Sequence, residues 1–555
     1  NKRATCKYTQ AVSGDGCWAL ANRCKITQAQ LLQYNKDPNL CDKIKEGKYY
    51  CCSAGDLPDF TPQPNPDGTC KMYTVADHDD CSVIAEKNQM TTDDIENRNK
   101  KTWGWTGCSY LLPKQILCLS TGSPPMPGEV DNAFCGPQVP GMKTPDNMDD
   151  LASLNPCPLK ACCNVWGQCG TTKDFCIKAP ADTGAPGTSK PGNIGANGCI
   201  FNCGMDIVNN DAPPAEFKRL GYFEAWNADR PCLHMRSKQI DTSKYTHVHY
   251  AFGQISEDFG VIINETQMFK EFKALSGVKK IMSFGGWSFS TEGDMFPIFR
   301  EGVTAAQRLT FATNVVQFVA DNGLDGVDFD WEYPGAPDIP GIPPGSPNDG
   351  PNYLEFLKLV RGRLSKEKMV AIAAPASFWY LKGFPIEEIG KVVDYIVYMT
   401  YDIHGQWDYV PTYDFLEEGL RSHVNRTETE NAMSMITKAG VPANKILIGM
   451  ALYGRSFQMA AAGCWGPDCK FMGPASGATP GRCTGTASYI SNFEIREIIS
   501  EKSGVQVHED NGDGDIIIYD KVQWVSYLSK PKYNGRVSWV KGLNFGGTSD
   551  WAIDL

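Results

Sequence analysis

From about residue 215 onward, short apolar runs alternate with longer amphipathic stretches, the runs falling at 219–226, 245–252, 279–285, 326–331, 369–374, 394–400, 446–453 and 542–546. Each run has strand length, and each intervening stretch up to the seventh run has room for a helix. Eight strand–helix units fit an α/β fold, a (β/α)8 TIM barrel, in which reactive side chains belong at the carboxyl ends of the strands. The gap between the seventh and eighth runs is too long for one helix. The first 204 residues read differently, as short apolar segments cut by cysteine, proline and glycine.

Cysteine spacing exposes a repeat there: Cys6, Cys17, Cys41 and Cys51, then Cys70, Cys81, Cys108 and Cys118, with identical first and last intervals. Ile26-Thr-Gln-Ala-Gln-Leu-Leu-Gln-Tyr-Asn aligns with Met90-Thr-Thr-Asp-Asp-Ile-Glu-Asn-Arg-Asn, and each unit ends in a short apolar segment. A strand, two short helices and a closing strand satisfy this pattern. The units, 1–55 and 69–120, resemble LysM modules, which implies a βααβ fold that binds N-acetylglucosamine polymers. Pro/Gly-rich stretches at 53–68 and 121–128 read as semi-extended spacers. Residues 132–204 hold eight cysteines, with Cys157, Cys162, Cys163, Cys169 and Cys176 spaced C-x4-C-C-x5-C-x6-C. That spacing resembles the hevein-type chitin-binding module, with longer gaps before Cys157 and after Cys176 that leave the outer pairing open. The resemblance places sugar contacts at Asn164, Trp166 and Phe175, with Gln168 in place of a third ring. In disulfide-permissive chains such a cluster is a staple framework, so no metal is expected.

The chemistry concentrates at 325–332, Asp-Gly-Val-Asp-Phe-Asp-Trp-Glu. Successive side chains of a strand face opposite ways, so Asp328, Asp330 and Glu332 share one face while Val327, Phe329 and Trp331 share the other. Three carboxyls this close must share protons, and at least one pKa must rise, as a general acid near neutral pH requires. The segment is the DxxDxDxE signature of family 18 glycoside hydrolases, and the chain resembles a secreted fungal chitinase of that family. Ser283-Phe-Gly285-Gly286-Trp287 is similar to the family's SxGG, Met399-Thr-Tyr401-Asp402 to its M-x-Y-D, and Gly546-Gly547-Thr-Ser-Asp-Trp551 to its eighth-strand segment. The resemblance implies hydrolysis of β-1,4 N-acetylglucosamine linkages by substrate-assisted retention, and an α+β insertion at about 458–535 walling the cleft. It gives Glu332 the acid's role, Asp330 and Tyr401 the acetamido group, and Asp328 the partnering of Asp330. Tyr222, Phe252, Ser283, Gly286, Trp287, Trp379, Met399, Asp402, Tyr453, Arg455 and Trp551 are the candidate sugar contacts, since a pyranose needs flat rings and polar edges. No cofactor is required.

Twenty-two cysteines in 555 residues point to an oxidising compartment and secretion. A net charge of −11 argues against nucleic acid and anionic membrane, and no run is long and apolar enough for a membrane span. A neutral polymer, chitin or its oligomers, suits the charge better. Asn264 and Asn425 sit in glycosylation sequons. The start lacks the apolar core of a signal peptide, so the chain reads as mature, and a closing helix is expected beyond Leu555. Glu509-Asp-Asn-Gly-Asp-Gly514 imitates a calcium loop but reads better as a hairpin turn, and His247 and His249 read as barrel-lining histidines rather than metal ligands. The order of modules also resembles the chitin-docking subunit of yeast killer toxins, which implies a second role as carrier of an associated or disulfide-linked toxin chain. An inactive chitin lectin is the third reading, disfavoured by the complete set Asp328, Asp330, Glu332 and Tyr401.

Overall fold

The computed structural model describes residues 4–190, 197–409, 419–510 and 514–555. The chain forms two compact units, residues 1–157 with 162–204, and 158–161 with 205–555.

The cysteine repeat of the first unit is a repeat in space. Strands Tyr8–Gln10 and Tyr49–Cys51 pair antiparallel around helices Cys17–Cys24 and Gln28–Asn35, and Met72–Thr74 and Ile116–Cys118 do the same around Cys81–Lys87 and Thr92–Asn99. The aligned threonines start the second helix of each module: Thr27 and Thr91 accept from the backbone three residues on, and Gln30 and Asp94 return the bond. The aligned asparagines end it. The Asn35 amide donates to Leu31 and Cys51 carbonyls and accepts from Cys51 N–H, and buried Asn99 repeats this with Ile95 and Cys118. Disulfides Cys6–Cys51, Cys17–Cys41, Cys70–Cys118 and Cys81–Cys108 follow the repeat, while Cys24–Cys52 belongs to the first module alone.

The third module is a three-stranded antiparallel sheet of Cys162–Asn164 between Cys169–Gly170 and Cys199–Phe201. Its pairing is Cys135–Cys163, Cys157–Cys169, Cys162–Cys176 and Cys199–Cys203. The Pro/Gly-rich spacers are anchored to the modules they join. Phe60 folds back to stack on Tyr49 at 4.1 Å and meets Tyr8 edge-on, while the 121–128 segment starts with Gly122 pressed on the backbone of Thr69 and Cys70.

In the second unit, β1 (Lys218–Glu224), β2 (His247–Ile255), β3 (Lys279–Gly285), β4 (Gly326–Asp330), β5 (Met369–Pro375), β6 (Tyr395–Met399), β7 (Ile446–Ala451) and β8 (Gly547–Trp551) pair in sequence, all parallel, and β8 returns to β1 to close the barrel. Seven strands lie where the apolar runs put them. The eighth does not: 542–546 is a helix end and turn following Lys530–Gly542, and the strand is the polar segment beyond it. Leu543 packs against the core and Phe545 is buried, so the turn mimics a strand run, whereas β8 buries Ser549 and Asp550 and so lacks an apolar signal. Between β7 and β8, strands Tyr453–Gln458, Tyr489–Ser491, Gln506–Asp510, Gly514–Tyr519 and Gln523–Tyr527 form an antiparallel sheet with helix Asn492–Glu501. This α+β insertion starts about five residues before the expected 458. Asp510 pairs with Gly514, as a hairpin requires, although turn residues 511–513 lie outside the described residues. Cys232–Cys483 and Cys464–Cys469 complete the eleven disulfides, and no cysteine is free.

Candidate active site

β4 delivers the carboxylates as the alternation predicts. Val327, Phe329 and Trp331 sink into the core outside the barrel, where Phe329 meets Phe284 and Phe356 and Trp331 stacks on Phe299. Asp328 and Asp330, fully and almost fully buried, face inward. Asp328 Oδ2 accepts from Tyr222 Oη at 2.9 Å and Ser283 Oγ at 2.5 Å, and His249 Nδ1 lies 3.2 Å away, off the line of a hydrogen bond. His249 Nε2 in turn meets Tyr395 Oη at 2.8 Å. The barrel-lining reading of His249 thus holds, and the histidine sits on the acid ladder, a neighbour that sequence reasoning missed. His247 is buried too, and burial first, then the nearby His249, pulls its pKa down to about 3.

Each carboxyl of the ladder has a distinct environment. Asp330 is held well above the ordinary carboxylate range by burial, then by the charges of Glu332 and Asp328. Burial pushes Glu332 up to about 7, a hydrogen bond with Tyr333 pulling against it and the Asp402 charge adding to it. Glu332 follows the strand and is anchored by its own N–H, which donates to Ser290 Oγ at 3.0 Å. Asp328 Oδ1 and Asp330 Oδ1 are both buried without a partner.

The glycines of 285–286 are steric requirements. Gly285, at φ 111°, lets the backbone pass where a Cβ would sit 2.0 Å from Asp330 O, and the Gly286 N–H donates to that same oxygen at 2.8 Å. A Cβ on Gly286 would lie 2.5 Å from the Phe252 ring. Gly449 leaves the space that Tyr401 fills, since a Cβ there would come within 2.7 Å of its ring.

Aromatic rings and a charge clamp surround the ladder. Trp551, ending β8, stacks on Phe252 at 5.9 Å and leans on Tyr222 at 5.2 Å, while Trp226 continues the stack from Phe252 at 5.8 Å. After β6, Tyr401 is buried against Tyr453 at 6.1 Å, beside half-buried Met399. Asp402, at φ 55°, accepts from Arg455 Nε at 2.7 Å, Arg455 Nη2 at 2.6 Å and Tyr453 Oη at 2.6 Å. Burial pushes Asp402 up, but the guanidinium and His423 outweigh it and hold the carboxyl well below its ordinary range. Arg455 also lies over the exposed ring of Trp407 at 5.0 Å, a ring no sequence motif marked. Trp287 opens the short helix after β3, Trp379 is the second residue of the one after β5, and each is about half exposed, Trp379 donating to Asp338 at 2.9 Å.

In the first unit, Trp166 is 54% exposed, but Asn164 is not a surface residue. Its side-chain oxygen accepts from the N–H groups of Trp166 and Gln168, so it shapes the turn beneath the ring instead of facing sugar. Phe175 is packed on Gly170, where a Cβ would lie 2.3 Å from its ring. Of the two sequons, Asn264 is exposed, whereas Asn425 caps helix Arg426–Ala439 and reaches Asp510 with its amide, so that nitrogen is engaged.

Residues 218–555 match the glycosyl hydrolases family 18, residues 150–183 the chitin recognition protein family and residues 11–48 the LysM domain. The chain is 50% identical over 562 residues to a protein named secreted chitinase LysM12 from Penicillium expansum, covering 99% of this chain and 37% of that protein. It is 40% identical over 555 residues to the killer toxin subunits alpha/beta of Kluyveromyces lactis, covering 99% of this chain and 45% of that protein. The chain therefore spans less than half the length of either relative. The second unit superposes on catalytic domain 2 of the group II chitinase from Ostrinia furnacalis with a TM-score of 0.54 and 25% identity, over 61% of this chain and 90% of that one.

Proposed function

This chain belongs to the glycosyl hydrolases of family 18, and from that premise we propose that it hydrolyses the β-1,4 N-acetylglucosamine linkages of chitin with retention. The observation that carries the reading is the ladder Asp328–Asp330–Glu332, two buried carboxyls leading to a half-buried third beside Tyr401 and Trp551 at the strand ends, with burial and the Asp402 charge pushing Glu332 up to about 7.

Glu332, protonated below about pH 7, donates its proton to the glycosidic oxygen as the bond to the anomeric carbon breaks. The acetamido oxygen of the same sugar attacks that carbon and forms an oxazolinium ion, so no carboxylate nucleophile is needed. Asp330 offers its unpartnered Oδ1 to the acetamido N–H, and Tyr401, kept protonated by burial first and then by Asp330, donates to the acetamido oxygen. Asp328, pinned by Tyr222 and Ser283, fixes the charge behind Asp330. Ionised Glu332 then takes a proton from water as its oxygen opens the ion from the same face, which restores both the acid and the anomeric configuration. Trp551 with Phe252 forms the apolar floor against which the sugar's C–H face rests. Removing the acetyl groups removes the nucleophile: oligomers of glucosamine should resist cleavage while those of N-acetylglucosamine are cut, and a thiazoline mimic of the oxazolinium should inhibit. Comparable turnover of both oligomers contradicts the mechanism.

The modules at 1–55, 69–120 and 132–204 act as tethers that raise the local concentration of chitin for the barrel domain at 215–555. Eleven disulfides and a relative named as secreted support an extracellular, wall-associated location. The killer toxin relative favours a second, compatible role as the chitin-docking carrier of a toxic chain. Because every cysteine here is paired within the chain, such a partner would be held by contacts and not by a disulfide to this segment.

A further inference from the structure

Residues 177–190, the described first part of the insertion between Cys176 and Cys199, are packed against a neighbouring module. Ala185 is buried in the core of the second module among Val75, Ile84, Ile95, Trp105 and Leu117. Thr183 Oγ1 donates to the Trp105 carbonyl at 2.6 Å, and the Gly104 N–H donates to the Pro186 carbonyl at 2.8 Å. Gly187, at φ 66°, lies so close to the Trp103 ring that a Cβ would fall 2.1 Å from it. The strap braces itself as well, since buried Thr188 accepts from the Ala181 N–H and donates to the Ala185 carbonyl. The hevein-like module is thereby clamped onto its neighbour.

Along the clamp runs a groove of about 380 Å³, within the size range of pockets that hold small ligands. Its lining comes from both modules: Trp103, Leu112 and Pro113 from the second, Val165 and Trp166 from the hevein-like one, and the Pro125–Pro127 segment between them. Trp166 and Leu112 are each more than half exposed and stand ready for contact. The polar lining includes Thr106, Gln138 and Ser189, and its charges are one lysine, Lys114, and one glutamate, Glu129, so the groove has no net sign to attract an ion. Flat apolar surface with uncharged hydrogen-bonding groups matches a neutral sugar chain. In the hevein-like module Asn164 is buried under the turn and Phe175 is packed on Gly170, and of its well-exposed rings, Phe134 and Trp166, it is Trp166 that lines the groove.

We propose that a single N-acetylglucosamine oligomer lies across both modules, from Trp166 to the Leu112–Pro113 corner, in one composite site. The inference rests on the chitin-binding reading above and goes beyond it by making the two modules one reader. Amide hydrogen exchange on the full chain carrying Glu332→Gln, titrated with N-acetylglucosamine hexamer, tests it. Peptides covering 102–116 and 164–168 should gain protection with one shared midpoint. Trp166→Ala and, separately, Leu112→Ala should each raise that midpoint about tenfold in both peptides while leaving protection in 11–48 unchanged. Protection of 164–168 alone, or midpoints that move independently, overturns the composite site but leaves chitin binding standing. If no peptide of 4–190 or 197–204 is protected, the binding reading itself fails and the composite site with it.

Discussion

The two units solve the problem of stability in opposite ways. Nine disulfides lie in the first, among modules whose cores are as small as the cluster of Leu20, Ala21, Leu31, Leu40 and Tyr50. Two lie in the second, where a continuous core of phenylalanine, valine, leucine and isoleucine wraps the barrel. Small domains cannot bury enough apolar surface to offset chain entropy, and cross-links that close loops of the first unit's length contribute ~3 kcal/mol each. A large barrel can bury enough, and has stability to spare for a costly site. The acid ladder is such a cost, with two carboxyls on one strand face, a third just beyond the strand's end, and two buried oxygens unpartnered. Chemistry sits where burial is cheap, and recognition sits on rings held out by staples.

That contrast can be broken from either side. The largest effect expected is from Glu332→Gln, which should lower hydrolysis of soluble chitin oligomers by between ~10²- and ~10⁴-fold while leaving adsorption to insoluble chitin intact. Retention of more than about a tenth of the activity, a loss of under ~1.4 kcal/mol, would remove Glu332 from the acid's role. Reduction with dithiothreitol should act in the reverse sense: adsorption to insoluble chitin falls to what the barrel alone retains, while turnover of short soluble oligomers stays near its starting rate, because apolar packing carries the barrel's core. Parallel loss of both would show that the barrel needs Cys232–Cys483 to fold. A fragment starting near residue 204 should cleave soluble oligomers like the full chain and lose several-fold on insoluble chitin, where tethering counts; equal activity on the insoluble polymer would end the tether reading. The smallest effect is that of Trp166→Ala in the full chain, a partial loss of adsorption, since the first module and the barrel still bind.

How much of this was legible in the sequence follows the same division. Seven barrel strands and the inward acids were legible because buried parallel strands read as apolar runs and because side-chain alternation has a fixed period. The eighth strand is misplaced by the core-packed Leu543 and buried Phe545 of the preceding turn, while its own Ser549 and Asp550 carry no apolar signal. His249 beside Asp328 and Trp407 beside Arg455 depend on strands and loops that meet only once the barrel closes. In the first unit cysteine spacing revealed the modules but not how they dock. Nothing in the composition of residues 177–198 says that Ala185 fits a neighbour's core, or that Phe60 leaves its proline-rich segment to stack on Tyr49.

The central claim is that burial holds the acid of the ladder protonated up to neutrality, and the pH dependence of kcat/KM on a soluble N-acetylglucosamine oligomer tests it most directly. A carboxyl raised from 4.5 to about 7 is a competent donor below that value and is lost as pH climbs through it. The account predicts a basic limb with an apparent pKa near 7, belonging to the coupled carboxyls as a set, above which kcat/KM falls about tenfold per pH unit. A profile that stays flat from pH 6 to pH 9 would contradict it.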